Sequence, residues 1–253
     1  MKKLIAANWK MNKTSEEAVF FVKIFKDLVK DARNVDIVLC PPYTSLHALS
    51  KELKGSNIKL GAQNMHFEGS GAFTGEISAL MIKETCEYAI IGHSERREIF
   101  GEDDELVNRK IKAALMHSLK PILCVGETFE QKKDGAANEV LETQLKKCLK
   151  GVDKTNMANV SIAYEPVWAI SKGNPNHKAA TSQDAEQGHK FIRKVLKEIY
   201  DENVARNTRI IYGGSMKPEN AKELLAMPDI DGGLVGNASL NAESFAEIVK
   251  AAD

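Results

Sequence analysis

The chain alternates short, almost wholly apolar segments with longer amphipathic stretches, and this alternation restricts its fold more than any other feature. Strands that are apolar on both faces are typical of parallel sheets covered by helices. The predicted strands are Lys3–Asn8, Asp36–Cys40, Ile58–Ala62, Tyr88–Ile91, Pro121–Val125, Val160–Tyr164, Arg209–Tyr212 and Gly232–Val235. The predicted helices are Ser15–Lys30, Ser45–Leu53, Ile77–Glu84, Glu105–Ser118, Ala137–Leu149, Ser182–Tyr200, Pro218–Leu225 and Ala242–Ala251. Eight such units in 253 residues predict an α/β protein, a closed eight-stranded parallel (β/α)8 barrel forming one domain over residues 1–253.

Composition and charge exclude several classes of protein. The 35 Lys and Arg residues balance 35 Asp and Glu residues, so no net field favours nucleic acid or an anionic membrane as a partner. No apolar run approaches the roughly 20 residues of a membrane helix, and the amino terminus is too short in apolar residues for a secretory signal. We therefore expect a soluble, cytoplasmic protein. Four cysteines without a C-x-x-C pair are expected to be reduced core thiols: Cys40, Cys86, Cys124 and Cys148.

Polar residues that could carry chemistry follow two of the predicted strands. Lys10 comes directly after the first strand and could bind an anion, although a solvated lysine is the simpler interpretation. His93 follows the fourth strand between Gly92 and Ser94, and Ser94 could cap a short helix. The positive end of that helix would disfavour imidazolium and keep His93 neutral, able to donate one N–H to a carbonyl. A purely structural histidine remains the alternative.

Glu165 follows the sixth strand and lies among apolar and aromatic neighbours. Burial disfavours the charged carboxylate, and so we expect the pKa of Glu165 to be raised towards the working range of a general base. A buried glutamate is costly unless it is paired or functional. The alternative role is a buried ion pair with a lysine.

Glycine-bearing turns follow the last two strands, at Gly213-Gly214-Ser215 and at Gly236-Asn237. Backbone N–H groups in such turns can bind a phosphate, and phosphate sites in barrels of this kind tend to follow strands seven and eight. The segment from Gly69 to Gly75 only approximates a dinucleotide fingerprint. We therefore expect no NAD. The sequence also contains no H-E-x-x-H motif and no Walker loop, and we expect no other cofactor and no metal.

Six segments along the chain, taken together, resemble one known family. They are Asn8-Trp9-Lys10, Gly61-Ala62-Gln63-Asn64, Gly92-His93-Ser94-Glu95-Arg96-Arg97, Ala163-Tyr164-Glu165-Pro166-Val167-Trp168-Ala169-Ile170, Tyr212-Gly213-Gly214-Ser215 and Leu234-Val235-Gly236. With them the chain resembles the triosephosphate isomerase family, which implies a TIM barrel. It also implies an aldose–ketose isomerase, an intramolecular oxidoreductase that interconverts dihydroxyacetone phosphate and D-glyceraldehyde 3-phosphate through an enediolate. The implied pathways are glycolysis, gluconeogenesis and the pentose phosphate pathway.

The resemblance implies a role for each matching residue. Glu165 would move a proton between two carbons of the substrate, and Ser94 would steady it while the site is open. His93 would polarise the carbonyl, while Lys10 and Asn8 would stabilise the enediolate. Further implied roles are a carboxylate paired with Lys10 at Glu95, and phosphate-binding backbone N–H groups at Ser171, Ser215, Gly236 and Asn237.

The resemblance also implies a homodimer and a mobile lid. The segment Met65–Ala79 resembles the family's interdigitating loop, with Thr74 reaching the partner's site. The lid, Ser171–Lys178, departs from the family pattern in having Ser171 in place of a glycine and an insertion that we place at residues 174–177. Asn237 replaces a second glycine, and we expect it to tolerate the left-handed backbone that a glycine there would adopt.

Two other functions would fit a phosphate-binding barrel. A regulatory or structural barrel could bind a sugar phosphate without converting it, but it would not need a buried carbon base such as Glu165. An aldolase, or an isomerase of another kind, would need a Schiff-base lysine on an inner strand or a different base.

Overall fold

The computed structural model describes residues 1–169 and 180–253, and within them eight parallel strands close into a barrel. The strands are β1 (Lys3–Asn8), β2 (Val35–Cys40), β3 (Ile58–Ala62), β4 (Tyr88–Ile91), β5 (Lys120–Val125), β6 (Ser161–Tyr164), β7 (Arg209–Tyr212) and β8 (Gly232–Val235). Each predicted strand is present with ends within one residue of those expected, so the predicted barrel is confirmed. The predicted lid at residues 171–178 and the phosphate contact at Ser171 lie outside the described residues.

The described residues form eleven α-helices, three more than predicted. They are α1 (Ser15–Val29), α2 (Tyr43–Glu52), α3 (Ala79–Lys83), α4 (Ser94–Phe100), α5 (Asp104–Met116), α6 (Phe129–Lys133), α7 (Ala137–Cys148), α8 (Ser182–Ile199), α9 (Glu202–Asn207), α10 (Pro218–Leu225) and α11 (Ala242–Ala252). The three additional helices, α4, α6 and α9, have five to seven residues. Helices of one or two turns are too short to show a 3.6-residue period, although a short helix at Ser94 was expected.

Capping side chains fix where several of the long helices begin. Thr14 before α1 and Thr181 before α8 each accept a backbone N–H from the third residue of the helix. The side chains of Glu17 and Asp184 in turn accept the backbone N–H of these two threonines. Such reciprocal capping boxes satisfy N–H groups that have no partner within the helix.

The strands alternate between two apolar cores, as a closed barrel requires. Leu4 and Ala6 of β1 point into the barrel interior, which also contains Ile90 and Ile211 from other strands. Ile5 and Ala7 belong instead to the larger core between the sheet and the helices. Seven of the eight strands therefore contribute apolar residues to both cores, which explains most of the apolar runs in the sequence; the exception is β3, where Lys59 and Gly61 alternate with the core residues.

Pairing between β1 and β8 closes the barrel at a glycine. Gly232 lies opposite Leu4 in the parallel register. Its φ is +148°, and a Cβ there would lie 1.9 Å from the carbonyl oxygen of Leu4. Glycine at this position therefore allows β8 to approach β1 closely enough to complete the sheet.

The four cysteines are buried and their thiols are free, as expected for core thiols. Burial raises the pKa of Cys148 to about 12 and that of Cys86 to about 11, which disfavours the reactive thiolate. No helix among the described residues has the length and apolar character needed to cross a membrane.

We predict that Gly232→Ala destabilises the fold by more than about 4 kcal/mol, because the new methyl group collides with the backbone of β1. Urea unfolding followed by circular dichroism measures the change. The matched control is Gly55→Ala, which also has a positive φ but open space around the Cβ position. It should cost only the backbone strain, about 1 kcal/mol. Equal losses in both variants would show that close approach of β8 to β1 is not what Gly232 provides.

Candidate active site

Asn8 and Gln63 hold Lys10 in a strained backbone conformation at the end of β1. Lys10 has a φ of +53°, which costs a residue with a Cβ about 1–2 kcal/mol. Its backbone N–H donates to Oδ1 of Asn8 at 3.0 Å. The amide nitrogen of Gln63 donates to the carbonyl oxygens of Lys10 at 2.8 Å and Cys40 at 2.9 Å. These side chains offset the strain and fix the direction in which Lys10 leaves the strand.

Lys10 and Glu95 form the ion pair that was expected. Nζ of Lys10 lies 2.6 Å from Oε1 of Glu95, with the two side chains 26% and 33% exposed. An ion pair with this much exposure adds little to stability. Its effect is to hold the ammonium group over the carboxyl end of the barrel. Gly236 is also close, because a Cβ there would lie 3.8 Å from Cε of Lys10.

His93 is itself the cap of α4, and the prediction that Ser94 caps this helix is wrong. Nδ1 of His93 accepts the backbone N–H of Glu95 at 3.2 Å, and Ser94 is the first residue of the helix. An Nδ1 atom that accepts a hydrogen bond carries no hydrogen of its own. The ring hydrogen therefore lies on Nε2, which faces the carboxylate of Glu165.

Glu165 is 2% exposed and lies against the start of α4. Its Oε2 accepts the backbone N–H of Ser94 at 2.9 Å. Its Oε1 lies 2.9 Å from Nε2 of His93, in a close charge contact and not in a hydrogen bond. Among the described residues, Oε1 therefore has no hydrogen-bond partner. Within the part of the chain that the structure describes, the charged side chain in contact with Glu165 is His93, and none of the described lysines forms the buried ion pair suggested as the alternative.

Opposing effects set the pKa of the buried carboxyl. Burial raises the pKa of Glu165, but His93, the N–H of Ser94 and Lys10 lower it by more, so it lies below its ordinary value. The expected rise in the pKa of Glu165 is therefore wrong for the protein without substrate, because that expectation considered burial and not these neighbouring groups.

The expected neutral state of His93 is opposed by the charge of Glu165. Burial lowers the pKa of His93, and the carboxylates of Glu165 and Glu95 together raise it by more, to above its ordinary value. The N–H of Glu95 at Nδ1 opposes the imidazolium whatever the charge of Glu165. A proton taken up by Glu165 removes the main cause that favours the charged ring.

Two glycines on neighbouring strands make room for Glu165. A Cβ at Gly126, after β5, would lie 1.7 Å from the backbone oxygen of Glu165. A Cβ at Gly213, after β7, would lie 2.6 Å from Cγ of the same residue. Gly213 belongs to a segment that the sequence analysis singled out for another reason, and Gly126 was missed. A glycine directly after an apolar strand was the available signal.

The two turns expected to bind phosphate lie at the same end of the barrel. Ser215 is half-buried, three residues before α10, and its carbonyl oxygen accepts the side-chain amide of Asn220 at 3.0 Å. Gly236 precedes a short 3₁₀ helix that begins at Asn237. Asn237 is not among the described residues with positive φ, so the left-handed backbone expected there is wrong. The helical turn that Asn237 begins needs no such conformation.

Sequence reasoning also missed a second buried carboxylate, that of Glu127 after β5. Glu127 is 1% exposed and accepts hydrogen bonds from the hydroxyl of Tyr164 at 3.1 Å and from the indole N–H of Trp168 at 2.6 Å. Its carbonyl oxygen accepts the N–H of Val167 at 3.0 Å. Glu127 thus anchors the chain directly after Glu165. Its signal was the one used for Glu165, a lone glutamate following an apolar strand.

A Schiff-base mechanism finds no support at the lysine within β3. Lys59 is half-exposed and forms an ion pair with Glu87 at 2.8 Å. The hydrogen bond that Glu87 accepts from Lys59 raises the pKa of Lys59. This disfavours the neutral amine that a Schiff base requires.

The fold and the site define a (β/α)8-barrel enzyme with acid–base groups at the carboxyl ends of its strands. A family model described as "Triosephosphate isomerase" matches residues 3–252. Proteins named triosephosphate isomerase from Carboxydothermus hydrogenoformans and Aquifex aeolicus are 53% and 51% identical over 250 residues, covering 98% of this chain and 98% and 99% of theirs. The crystal structure of triosephosphate isomerase from Bartonella henselae is 38% identical, with a TM-score of 0.89 and 99% of both chains covered.

The chain therefore belongs to the triosephosphate isomerase family. It is an isomerase that interconverts dihydroxyacetone phosphate and D-glyceraldehyde 3-phosphate, a reaction of glycolysis.

We predict that Ser94→Pro raises the pKa of Glu165, because it removes an N–H donor that stabilises the charged carboxylate. Proline is tolerated at the first position of a helix, and His93 has φ −51° and ψ 142°, which suit a residue before proline. Carbon-detected NMR titration of labelled glutamate carboxyls measures the pKa. Ser94→Ala keeps the N–H and should leave it unchanged. An equal shift in both variants would assign the effect to the hydroxyl group instead.

Proposed function

We propose that Glu165 is the base that moves the proton between the two carbons of the triose phosphate. The observation that carries this proposal is the buried Oε1 atom, which has no hydrogen-bond partner among the described residues and lies beside Nε2 of His93. A desolvated carboxylate oxygen of this kind can accept a proton from carbon. The C–H bond breaks, its hydrogen bonds to Oε1, and the electron pair passes into an enediolate.

In this proposal His93 polarises the substrate carbonyl. Its Nε2–H group is fixed by the hydrogen bond that Nδ1 accepts from Glu95, and can donate to a carbonyl oxygen near Glu165. The same ring can move a proton between the two substrate oxygens as the enediolate forms. The role does not depend on the charge of the ring, because Nε2 carries a hydrogen in both states.

Lys10 and Asn8 supply the charge and polarity that stabilise the enediolate, and Glu95 orients Lys10. The ammonium group is held in place before reaction by its 2.6 Å contact with Glu95 and by the restrained backbone of Lys10. Preorganised charge of this kind lowers the barrier without reorganisation during the reaction. The site needs no metal or cofactor for this chemistry.

Backbone N–H groups at Ser215, Gly236 and Asn237 are proposed to bind the substrate phosphate, with Ser171 as a further contact. The closeness of Gly236 to Cε of Lys10 supports the first part, since a phosphate at the β8 turn would lie beside the ammonium group. Binding without conversion, the second function considered, does not explain a buried carboxylate with a free oxygen. We also propose one domain over residues 1–253, a cytoplasmic location and a further role in gluconeogenesis, which uses the same reaction in reverse.

We further propose that the chain forms a homodimer through residues 65–79, here called the docking loop. The loop has a defined shape of its own: the N–H of His66 donates to the carbonyl oxygen of Ile77 at 2.8 Å, and the His66 ring lies 4.3 Å from that of Phe73. Thr74 lies at its exposed tip. Exposed apolar side chains lie in the loop, directly after it and beside Lys10: Phe73, Leu80, Met81 and Met11. A second copy would cover such side chains.

We predict that Glu165→Gln lowers kcat by about 10²–10⁴-fold or more while leaving the fold unchanged, since the amide keeps the shape and loses the base. A coupled assay with D-glyceraldehyde 3-phosphate measures the rate, and circular dichroism checks the fold. Glu243→Gln, on the exposed first turn of α11, is the matched control and should have normal activity. Activity within about threefold of the parent would exclude Glu165 as the base.

We predict that Thr74→Arg raises the dissociation constant of the dimer by about thirtyfold or more, equivalent to about 2 kcal/mol, because a charged side chain would be buried against the partner. Sedimentation velocity over a concentration series measures the change, and kcat should fall with dimer content. Thr143→Arg, on the exposed face of α7, makes the same change away from the docking loop and should leave the dimer intact. An unchanged dimer in Thr74→Arg would place the interface elsewhere.

A further inference from the structure

A cavity of about 250 Å³ lies behind the carboxylate of Glu165, between α4 and α6. Its lining combines apolar surface with several polar side chains, whereas the core cluster inside the barrel beside it is apolar. The side chains that matter here are Ser94, Glu98, Thr128, Gln131, Gln144 and Glu165.

The cavity is separate from the mouth of the barrel where the substrate would bind. Asn8, Lys10, His93, Ser215 and Gly236 all belong to the mouth, and none of them lines the cavity. Glu165 and Ser94 border both spaces. The carboxylate therefore has one side towards the proposed substrate site and another towards the cavity.

The cavity is bordered both by the buried carboxylate and by side chains that are exposed at the protein surface. Glu165 is 2% exposed, whereas Glu98 and Thr128 are exposed. One water molecule occupies about 30 Å³ in the liquid, so the space has room for several. Hydroxyl, amide and carboxylate groups along the wall provide the two to four polar partners that each such water needs.

The wall of the cavity is fixed by hydrogen bonds to the backbone. The N–H of Gly126 donates to Oε1 of Gln144 at 2.8 Å, and Nε2 of Gln144 donates back to the carbonyl oxygen of Gly126 at 3.2 Å. Oε1 of Gln131 accepts the N–H of Thr128 at 2.9 Å. The cavity is thus a built feature of the loops after β4 and β5.

We propose that this cavity is the route by which the proton held on Glu165 exchanges with solvent during turnover. This inference rests on the proposed role of Glu165 as base. It assigns to Gln131 and the rest of the polar wall a function separate from catalysis of the isomerisation itself.

The chemistry has two outcomes for one hydrogen. The proton taken from C1 of dihydroxyacetone phosphate resides on the carboxyl group of Glu165 while the enediolate lies in the site. Either that hydrogen returns to C2, or it leaves to a water in the cavity while a solvent hydrogen replaces it on the carboxyl group. In D2O the second outcome releases HDO and places deuterium at C2. No oxidant or further reactant is needed.

The experiment is turnover of dihydroxyacetone phosphate in D2O, with the product oxidised at once by glyceraldehyde-3-phosphate dehydrogenase so that it cannot return. Proton NMR then gives the ratio of product with hydrogen at C2 to product with deuterium. Gln131→Leu removes one polar group from the wall at similar volume, and Gln131→Trp fills the passage. Both should raise the ratio by about threefold or more, because water reaches the carboxyl group less readily, with kcat within about twofold of the parent.

Two controls separate loss of water access from loss of the helix cap. Gln131→Glu keeps a polar wall and a residue suited to the capping box of α6, and should keep the parent ratio. Glu17→Leu removes the same half of a capping box from α1, far from the cavity, and should also give the parent ratio of hydrogen to deuterium at C2.

Unchanged ratios in both Gln131→Leu and Gln131→Trp would overturn the proposed route and show that exchange takes place through the mouth. If Gln131→Trp does not fold, the near-isosteric Gln131→Leu decides alone. If only the proposed exchange route is wrong, Glu165→Gln is still inactive. If Glu165 is not the base, Glu165→Gln stays active and both proposals fail. The two failures are therefore distinguishable.

Discussion

The contact of β8 with β1 is the constraint on which the rest of the structure depends. Leu4 and Gly232 lie opposite each other in the closing pair of strands, and the missing side chain at Gly232 lets the two backbones meet. Once the sheet is closed, all eight parallel strands end at the same mouth. Residues as distant along the chain as Lys10 and Gly236 then become neighbours, because strand direction and closure leave no other arrangement.

At that end of the barrel, opposing effects act on the pKa of one buried carboxyl group, that of Glu165. Burial of Glu165 favours its neutral form, and the N–H of Ser94 together with His93 favours its charged form by more. One oxygen is held by the helix start and the other has no hydrogen-bond partner among the residues described. A base of this kind stays charged before the substrate binds, and one of its oxygens can accept a proton. Gly126 and Gly213 provide the space that makes this position sterically possible.

Supporting contacts from other strands fix the remaining groups. Gln63, after β3, holds the strained carbonyl of Lys10, and Glu95 on α4 pairs with its ammonium group. The same helix is capped by His93, so that cap and electrophile are one residue. Because α4 also provides the N–H that Glu165 accepts, a shift of this helix would disturb the base, the imidazole and the lysine together. The loops after β4 and β5 enclose a cavity behind the base, which is the proposed route for exchange with solvent.

The sequence by itself determined the barrel, the ends of its strands to within one residue, and the residues that meet at the mouth. It could do so because apolar periodicity and glycine turns are local, and because six segments in one order resemble a single family. Only the tertiary structure decided the cap of α4, the direction of the pKa shift at Glu165, the support that Gln63 and Glu127 give, and the cavity beside Gln131. Each of these depends on distances between residues far apart in the chain. The direction of the pKa shift at Glu165 follows from the balance between burial and neighbouring charge, and that balance is set only when those distances are fixed.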